Sequence, residues 1–393
     1  MNQTSNAEHK MVHTRQRSRL AWLALKLAPL MGPTRIARAM RQFESAERIF
    51  DASLTELEAA GLPAQAAQFV FEGPAFIAAE EEAARTAESG ATFITPEDEE
   101  YPQQLLEIYD PPPVLWVRGN VQAIARPGIA VVGTRHPSPY GVGMAEMLSR
   151  DLAGRGLVIL SGMARGVDTA AHKGALDAQG TTAAVWGTGI DVIYPKENRK
   201  LAERIVESGG TIVSEFPIGT YPAPQNFPIR NRVLSGISMG VLVIEAGEYS
   251  GTRITARCAM EQNRDVFAVP GNVTNKNAWG PNTLIKQGAK LTATWEDIWE
   301  ELSSDVKLQI QRYNPVCESK PHRAASLFEE APVPEHERAV LDHLKMDEAT
   351  QLDELIDALE GRLGSAEIFA ALFELELRGR IRQMPGKNYV RSF

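Results

Sequence analysis

The sequence has little cysteine, and it lacks the signature runs of several large enzyme classes. Its 393 residues include two cysteines, Cys258 and Cys317, which form no CxxC pair, so neither a disulfide framework nor a cysteine zinc site is indicated. No Gly-x-x-x-x-Gly-Lys-[Ser/Thr] run is present, which argues against a P-loop ATPase. No stretch is apolar for long enough to span a bilayer. We therefore expect a cytoplasmic protein of two or three domains, with no membrane contact, bound metal or cofactor.

Basic charge is also scarce, but its distribution is uneven. The net charge is −9, which argues against a uniformly basic coat for nucleic acid. Residues 1–120 hold 11 Lys and Arg against 17 Asp and Glu, and residues 301–393 hold 12 against 17. Residues 121–300 hold 18 against 16. Positive potential is therefore concentrated in the middle of the chain.

Composition and periodicity divide the chain into five parts. Residues 1–18 are polar and are predicted to be a disordered leader. Residues 19–87 show helical spacing broken by Gly-Pro turns, which predicts a small domain of about four helices, similar to SAM or helix-hairpin-helix domains. Residues 303–334 read as a linker. Residues 335–393 show three helical patterns and a hairpin, which predicts a winged helix.

The central part, residues 88–302, alternates short apolar runs with helical patterns. The predicted strands lie at residues 129–132, 157–160, 182–186, 211–213, 241–244 and 266–269. The predicted helices lie between them, at residues 142–153, 169–178, 197–207, 230–236 and 254–262. Strands separated by helices form right-handed βαβ units, so the predicted fold is α/β, with a Rossmann-like, doubly wound, mostly parallel sheet.

Three of the apolar runs end in glycine-rich turns that carry hydroxyls or arginine. They read Gly128-Ile-Ala-Val-Val-Gly-Thr-Arg135, Ser161-Gly-Met-Ala-Arg-Gly-Val-Asp168 and Val185-Trp-Gly-Thr-Gly-Ile-Asp191. A parallel sheet gathers the carboxyl ends of its strands at one edge, so these turns should converge there. Glycines allow close approach to the backbone, and N–H groups at turns and helix starts attract anions. The pattern therefore predicts a phosphate-binding crevice.

Two later clusters extend this crevice. Arg230 and Arg232 flank Asn231 at the predicted start of a helix, where they can clamp a phosphate. Ser250-Gly-Thr252 places hydroxyls and a glycine at another helix start. Each cluster alone is also explained by turn chemistry and helix capping. Several of them at the strand ends of one sheet favour a ligand.

The candidates for catalysis are weaker. His172 can act as a base oriented by Asp168, four residues earlier, but a histidine on a helix more often packs or caps. Glu245 ends a strand, and it can equally pair with Arg230 or Arg232. The Gly-x-Ser-x-Gly elbow is absent around Ser161. An extended pattern of glycine, hydroxyl and arginine without catalytic groups indicates binding of a long polyanion. Single-stranded nucleic acid is its natural candidate.

The motifs together resemble a family. The motifs are Val-Val-Gly-Thr-Arg135, the run from Ser161 to His172, Gly187-Thr-Gly-x-Asp191-x-x-Tyr-Pro195, Phe227-Pro-x-Arg-Asn-Arg232 and Ser250-Gly-Thr. They are similar to the motifs of the bacterial DNA-processing protein A (DprA/Smf) family. The resemblance is dense over residues 90–300. It implies a non-enzymatic core that binds single-stranded DNA, forms a homodimer, protects incoming DNA and helps load RecA recombinase during natural transformation.

By motif position, Arg135 matches the family's phosphate contact. Threonine stands at 134 in place of the commoner serine. Lys196 matches a basic position in the DNA pocket of the family. The full set of expected DNA or phosphate contacts is Gly133, Thr134, Arg135, Ser161, Gly162, Arg165, Gly166, Lys196, Asn198, Arg230, Asn231, Arg232, Ser250, Gly251 and Thr252, supported by Asp168, His172 and Glu245. Tyr194, Phe227 or Trp279 can stack bases, although aromatic residues near turns more often pack.

Two other functions stay open. One is a nucleotide-processing enzyme on a similar core, a phosphoribohydrolase of the lysine-decarboxylase-like family. That family carries a Pro-Gly-Gly-x-Gly-Thr-x-x-Glu motif, of which Ser250-Gly-Thr252 keeps a fragment, with Thr255 where the motif has glutamate. The other is a regulator that reads duplex DNA with the winged helix. Its third helix is apolar and acidic, which favours a protein contact instead.

Overall fold

The computed structural model describes residues 2–313, 334–345 and 348–391, with side chains from Arg15 onward. The amino-terminal region is helical. Its six helices, two more than the sequence indicated, are α1 (Asn2–Leu27), α2 (Pro33–Phe43), α3 (Ala46–Asp51), α4 (Leu54–Ala59), α5 (Ala64–Phe71) and α6 (Pro74–Glu88). They pack around buried side chains of α1 that include Leu23 and Leu25.

The first helix replaces the disordered leader that the composition predicts for residues 1–18. Contacts distant in sequence fix its second half. Arg15 donates to the Asp98 carboxylate at 3.0 Å, and Ser18 and Trp22 donate to Glu97 at 2.5 and 3.0 Å. The acidic run at 97–100, which looks solvated in the sequence, is therefore a docking point for α1.

The central region contains nine strands and nine helices. The strands are β1 (Thr92–Ile94), β2 (Leu115–Gly119), β3 (Gly128–Val132), β4 (Val158–Ser161), β5 (Thr182–Trp186), β6 (Thr211–Ser214), β7 (Gly240–Val243), β8 (Asp265–Ala268) and β9 (Lys290–Leu291). The helices are α7 (Gln103–Leu106), α8 (Pro139–Gly154), α9 (Val167–Asp177), α10 (Arg199–Glu207), α11 (Asn226–Ile237), α12 (Thr252–Glu261), α13 (Trp279–Lys286), α14 (Trp295–Glu301) and α15 (Ser304–Tyr313).

These strands form one sheet in the order β1-β2-β6-β5-β4-β3-β7-β8-β9. The pairs from β6 to β9 are parallel, whereas β1 and β2 are antiparallel to their neighbours. The chain moves from β3 outward to β6 and then returns to place β7 on the other side of β3. In a doubly wound sheet such a reversal opens a crevice at the carboxyl ends of the two adjacent strands. That crevice lies between β3 and β7.

Helices cover both faces of the sheet, which explains the uninterrupted apolar runs. Ile129 and Val131 of β3 pack into a cluster with α8 and α9. Ala130 and Val132, which alternate with them, pack into a second cluster with α11 and α12. Both faces of the central strand are therefore buried, and its polar groups are confined to the turn that follows. The prediction of a mostly parallel α/β core is confirmed.

The expected linker at 303–334 begins with a helix. Its first ten residues after Ser303 form α15, which buries Val306 and Ile310 against the core. Residues 314–333, which include Cys317, lie outside the described residues. Beyond it, α16 (Glu335–His343), β10 (Thr350–Gln351), α17 (Leu352–Leu359), α18 (Ser365–Leu377), β11 (Ile381–Met384) and β12 (Asn388–Arg391) form the winged helix, with its three short strands in the order β10-β12-β11.

Candidate nucleic-acid groove at the strand ends

An open groove of about 770 Å³ lies at the carboxyl ends of β3 and β7. We call its two sides the first wall and the second wall. The first wall consists of the turn at 133–136 after β3, with Phe227, Arg230 and Asn231 of α11. The second wall consists of residues 247–252 between β7 and α12, with the turn at 276–279 that leads into α13. The groove therefore coincides with the reversal of strand order.

The turn after β3 is held by backbone bonds. Thr134 donates its N–H to the carbonyl of Glu245 at 2.7 Å and accepts from Val167 N–H at 3.2 Å. A side chain at Gly133 would lie 2.5 Å from Val167, so the turn needs glycine for this close approach to α9. Arg135 follows on the exposed side of the turn, with its guanidinium carbon 5.8 Å from the centroid of the Phe227 ring. The fold thus directs a fixed cation into the groove.

Arg230 lines the first wall but is part of a buried charge network. Its Nη1 donates to the Val185 carbonyl at 2.6 Å and its Nε donates to Asn231 Oδ1 at 3.1 Å. Burial lowers the pKa of the guanidinium, and the nearby Asp168 carboxylate opposes that shift. Asp168 itself accepts from the N–H groups of Gly162 and Ala164, each at 3.1 Å. This network fixes the wall and leaves Arg230 only 7% exposed.

The paired clamp expected from Arg230 and Arg232 does not form. Helix α11 begins at Asn226, so neither arginine is at a helix start. Arg232 points away from the groove, where its Nη2 donates to the Glu215 carboxylate at 2.6 Å and its Nη1 donates to the Asp110 carbonyl at 3.0 Å. Its side chain is 13% exposed. Arg232 is an ion-pair residue in this structure and does not line the groove.

The turn after β4 supports the groove from behind. The Ser161 hydroxyl donates to the Val131 carbonyl at 2.7 Å, and Gly162 leaves no room for a side chain beside the Arg230 guanidinium. Gly166, with a positive φ of 75°, packs against the carbonyl of Thr134. Asn198 donates to the Met163 carbonyl at 2.8 Å. None of these four residues lines the groove.

The two remaining basic residues predicted from the sequence lie on neighbouring turns. Arg165 is exposed and forms an ion pair with Glu197. Lys196 is exposed in the short 3-10 helix Lys196–Asn198 after β5. Tyr194, two residues earlier, lies 5.7 Å from Phe227 between ring centroids. The turn that carries Lys196 therefore contacts the first wall through the Tyr194–Phe227 pair. Lys196 itself does not line the groove.

The second wall contains predicted residues and others that the sequence analysis missed. Ser250, Gly251 and Thr252 line the groove at the start of α12, as expected. Lys276 and Asn277 also line it, and Lys276 is exposed. In the sequence these residues belong to a polar Asn-Lys-Asn turn after the apolar run of β8. This turn lacks the combination of glycine and hydroxyl residues by which the other turns were recognised. The groove therefore has an exposed cation on each side, Arg135 and Lys276.

The catalytic candidates have internal partners. Glu245 accepts from the Ser138 N–H at 2.8 Å and from the Ser138 hydroxyl at 2.5 Å, and it pairs with neither Arg230 nor Arg232. His172 is buried, with Nδ1 2.7 Å from the Thr182 hydroxyl. Burial, reinforced by Arg230, lowers the pKa of His172 to about 3. These contacts orient β3, β4 and the helices behind the groove.

No described helix is both long and apolar enough to cross a bilayer. Within the same residues, no group of three His, Cys, Asp or Glu side chains is placed to hold a metal ion.

Comparison with known proteins decides the family. The family model of DNA recombination-mediator protein A matches residues 92–303, more than half of the chain. The chain belongs to this family. It is a recombination mediator of the DprA/Smf type, as its motifs predicted. The model of the DprA winged helix domain matches residues 324–387, which confirms the carboxyl-terminal fold.

Individual relatives of this DprA/Smf chain agree. It is 41% identical over 301 residues to Protein Smf of Escherichia coli, covering 76% of this chain and 77% of that one. It is 44% identical over 204 residues to the DNA processing protein DprA of Streptococcus pneumoniae, covering 52% and 72%. The X-ray structure of DprA from Streptococcus pneumoniae superposes with a TM-score of 0.63 at 35% identity, covering 71% of this chain and 96% of that one.

Proposed function

We propose that this DprA/Smf protein binds single-stranded DNA in the groove between β3 and β7 and acts without catalysis. The observation that carries the proposal is the pair of exposed cations, Arg135 and Lys276, on opposite walls of a groove lined by turn backbone. A single strand exposes both its phosphates and its bases, so a groove with cations on its walls and aromatic rings beside them suits one strand. A duplex keeps its bases paired and stacked, so it presents to these walls only its phosphates and the base edges in its grooves.

The electrostatics support a local site on an acidic protein. Most of the chain is acidic, which repels DNA from the outer surface. Within the groove, the buried Arg230 lies close to the Asp168 carboxylate, which compensates its charge, so the exposed Arg135 and Lys276 supply the local positive charge. Positive charge focused in a concave site attracts a polyanion more effectively than the net charge suggests. Binding is therefore expected to depend on salt and to be confined to the groove.

The absence of catalysis is part of the proposal. The alternative phosphoribohydrolase needs the glutamate of its Pro-Gly-Gly-x-Gly-Thr-x-x-Glu motif, and Thr255 stands at that position in the groove. The other candidate groups are held by internal contacts. Glu245 is 2% exposed, and its oxygens accept from Ser138. His172 is buried and uncharged at neutral pH because its pKa is about 3. These contacts favour a binding groove over an active site.

We further propose the cellular role that the family resemblance implies. The protein protects incoming single-stranded DNA in the cytoplasm and helps load RecA recombinase onto it during natural transformation, as a homodimer that joins through the central domain. A strand held open along a groove, with its outer face accessible, is a suitable substrate for a second protein that assembles on the same strand. The measurement is the rate of RecA filament formation on DNA coated by single-strand binding protein, with and without this protein.

The binding test compares single-stranded and duplex oligonucleotides by fluorescence anisotropy across a salt series. We expect tighter binding of the single strand and a linear fall of log affinity with log salt. Arg135→Glu is expected to weaken the single-strand complex about tenfold or more, and adding Lys196→Glu to weaken it further.

The matched control is Arg150→Glu, which makes the same charge change about 18 Å along α8 from the groove. Arg150 is exposed, so the variant is expected to fold and to bind like the unaltered protein. Equal affinity of the control and the Arg135→Glu Lys196→Glu protein, with both folded, would refute the groove as the DNA site. Release of free base from a nucleotide, abolished by Glu245→Gln, would support the enzyme instead.

A further inference from the structure

We propose that Lys276 and Trp279 form a nucleotide subsite on the second wall, in which the indole of Trp279 stacks on a base and the ammonium of Lys276 contacts an adjacent phosphate. The inference rests on the proposed function, because it names a place in the same groove. It selects Trp279 from the three aromatic residues that the sequence offered for stacking, and it adds Lys276, which no sequence motif indicated.

This turn is fixed by hydrogen bonds at both of its ends. Ala246 N–H donates to the Asn277 carbonyl at 2.7 Å, and Gly280 N–H donates to the Ala246 carbonyl at 2.7 Å. A side chain at Gly280 would lie 2.6 Å from that carbonyl oxygen, so glycine permits the close approach to the end of β7. The turn is therefore preorganised, which lowers the entropy lost when a ligand orders it.

The same turn is also tied to the opposite wall. Asn277 Nδ2 donates to the His136 carbonyl at 3.0 Å, next to Arg135. This side-chain bond ties together the two turns that carry Arg135 and Lys276. A strand entering the groove therefore meets two turns that are linked to each other.

Trp279 itself is placed for stacking. It lines the groove and is 38% exposed, although tryptophan is usually one of the more buried residues. The guanidinium carbon of Arg253 lies 5.3 Å from the centroid of its ring, and Arg253 Nη1 donates to the Glu248 carbonyl at 2.8 Å. This bond and the cation–π contact hold the indole in one orientation. The first wall repeats the combination of cation and aromatic ring, with Arg135 near Phe227.

The experiment separates base from phosphate by using two probes, a thymidine oligonucleotide and an oligonucleotide of the same length with abasic sugars. Trp279→Ala is expected to weaken binding of the thymidine oligonucleotide about 5- to 150-fold and to leave binding of the abasic one unchanged. Trp279→Phe keeps an aromatic face and is expected to retain most of the affinity. Lys276→Gln is expected to weaken both probes equally and to reduce the salt slope by about 0.7.

A fluorescence measurement covers the case in which Trp279→Ala fails to fold. The thymidine oligonucleotide is expected to quench the emission of the unaltered protein more than that of Trp279→Phe, because stacking quenches the indole it covers. Equal quenching in both proteins, or equal losses of affinity for both probes in Trp279→Ala, would overturn the subsite. If Arg135→Glu still weakens binding about tenfold or more in that case, the proposed function survives and only the subsite fails. If Arg135→Glu binds normally as well, the groove itself is wrong.

Discussion

Acid should destabilise this protein through one buried histidine. His172 on α9 is fully buried, and the Thr182 hydroxyl donates to the Ile159 carbonyl at 2.6 Å. That hydroxyl is left as an acceptor, so His172 must donate from Nδ1. Its Nε2 is buried and has no hydrogen-bond partner within the described residues. A proton added at Nε2 would be an unpaired buried charge close to the Arg230 guanidinium, which explains why the pKa of His172 falls to about 3.

The sign and size of the effect follow from linkage. The unfolded chain binds a proton at this histidine below about pH 6.5, whereas the folded protein does not until about pH 3. His172 therefore does not reduce the free energy of unfolding above about pH 6.5. As the pH falls from there towards 3, the free energy of unfolding decreases by up to about 1.4 kcal/mol per pH unit. Between pH 7 and pH 5 the expected loss is about 2 kcal/mol.

Urea unfolding at pH 7, 6 and 5 measures this loss when His172→Asn is the matched variant. Asparagine places an N–H donor near the position of Nδ1, so it can keep the bond to Thr182 without titrating. The free energy of unfolding of the unaltered protein should fall by about 2 kcal/mol more than that of the variant over this range. If the free energies of unfolding of the two proteins fall in parallel between pH 7 and pH 5, a buried neutral histidine is refuted. Carboxylates that titrate in this range affect both proteins equally and do not change this comparison.

The remaining predictions concern charges in and near the groove. Arg232→Met leaves Glu215 buried without its cation, so thermal or urea unfolding should show a loss of about 3–5 kcal/mol, while the affinity of the folded variant for single-stranded DNA stays the same. A tenfold loss of affinity would indicate that Arg232 contacts the DNA after all. Glu248→Gln removes an exposed carboxylate from the second wall and should strengthen binding about two- to fivefold at 0.1 M salt, measured by anisotropy. Unchanged or weaker binding would contradict the placement of DNA along that wall.

The local pattern of the sequence located six of the nine strands of the central sheet. The strand predicted at 182–186 is β5 (Thr182–Trp186) without change, and the other five predicted strands agree with β3, β4, β6, β7 and β8 to within one residue at each end. Strands buried on both faces are mostly apolar, so their approximate limits are visible in the sequence. Glycine at the start of β3 and β7 and hydroxyl residues in β4, β5 and β6 do not interrupt these runs. The turns that follow were recognisable because glycines, hydroxyls and charged residues cluster there. Gly133–Arg135 and Ser250–Thr252 were selected on this basis, and in the structure they line the groove.

Pairings between distant residues were not visible in the sequence. The partners of Arg232 are Glu215 and Asp110, which are 17 and 122 residues away. Helix α1 is likewise fixed by contacts 75 to 83 residues away, which composition cannot show. Lys276 was missed because the return of the chain from β6 to β7 brings the turn after β8 to the groove. The order of the strands decides which turns meet, and hydrophobic periodicity alone does not determine that order.

The difference between buried and exposed charge changes what the groove is expected to do. Five basic residues were predicted to contact phosphates, which would give a single-strand salt slope of about 3.5. In the structure Arg230 and Arg232 have buried partners, and Arg165 pairs with Glu197. Arg135 and Lys196 remain exposed, and Lys276 is added. Three phosphate contacts correspond to a slope of about 2, so much of the affinity must come from stacking and from N–H groups of the turns. A measured slope near 3.5 would show that the internal ion pairs open when DNA binds.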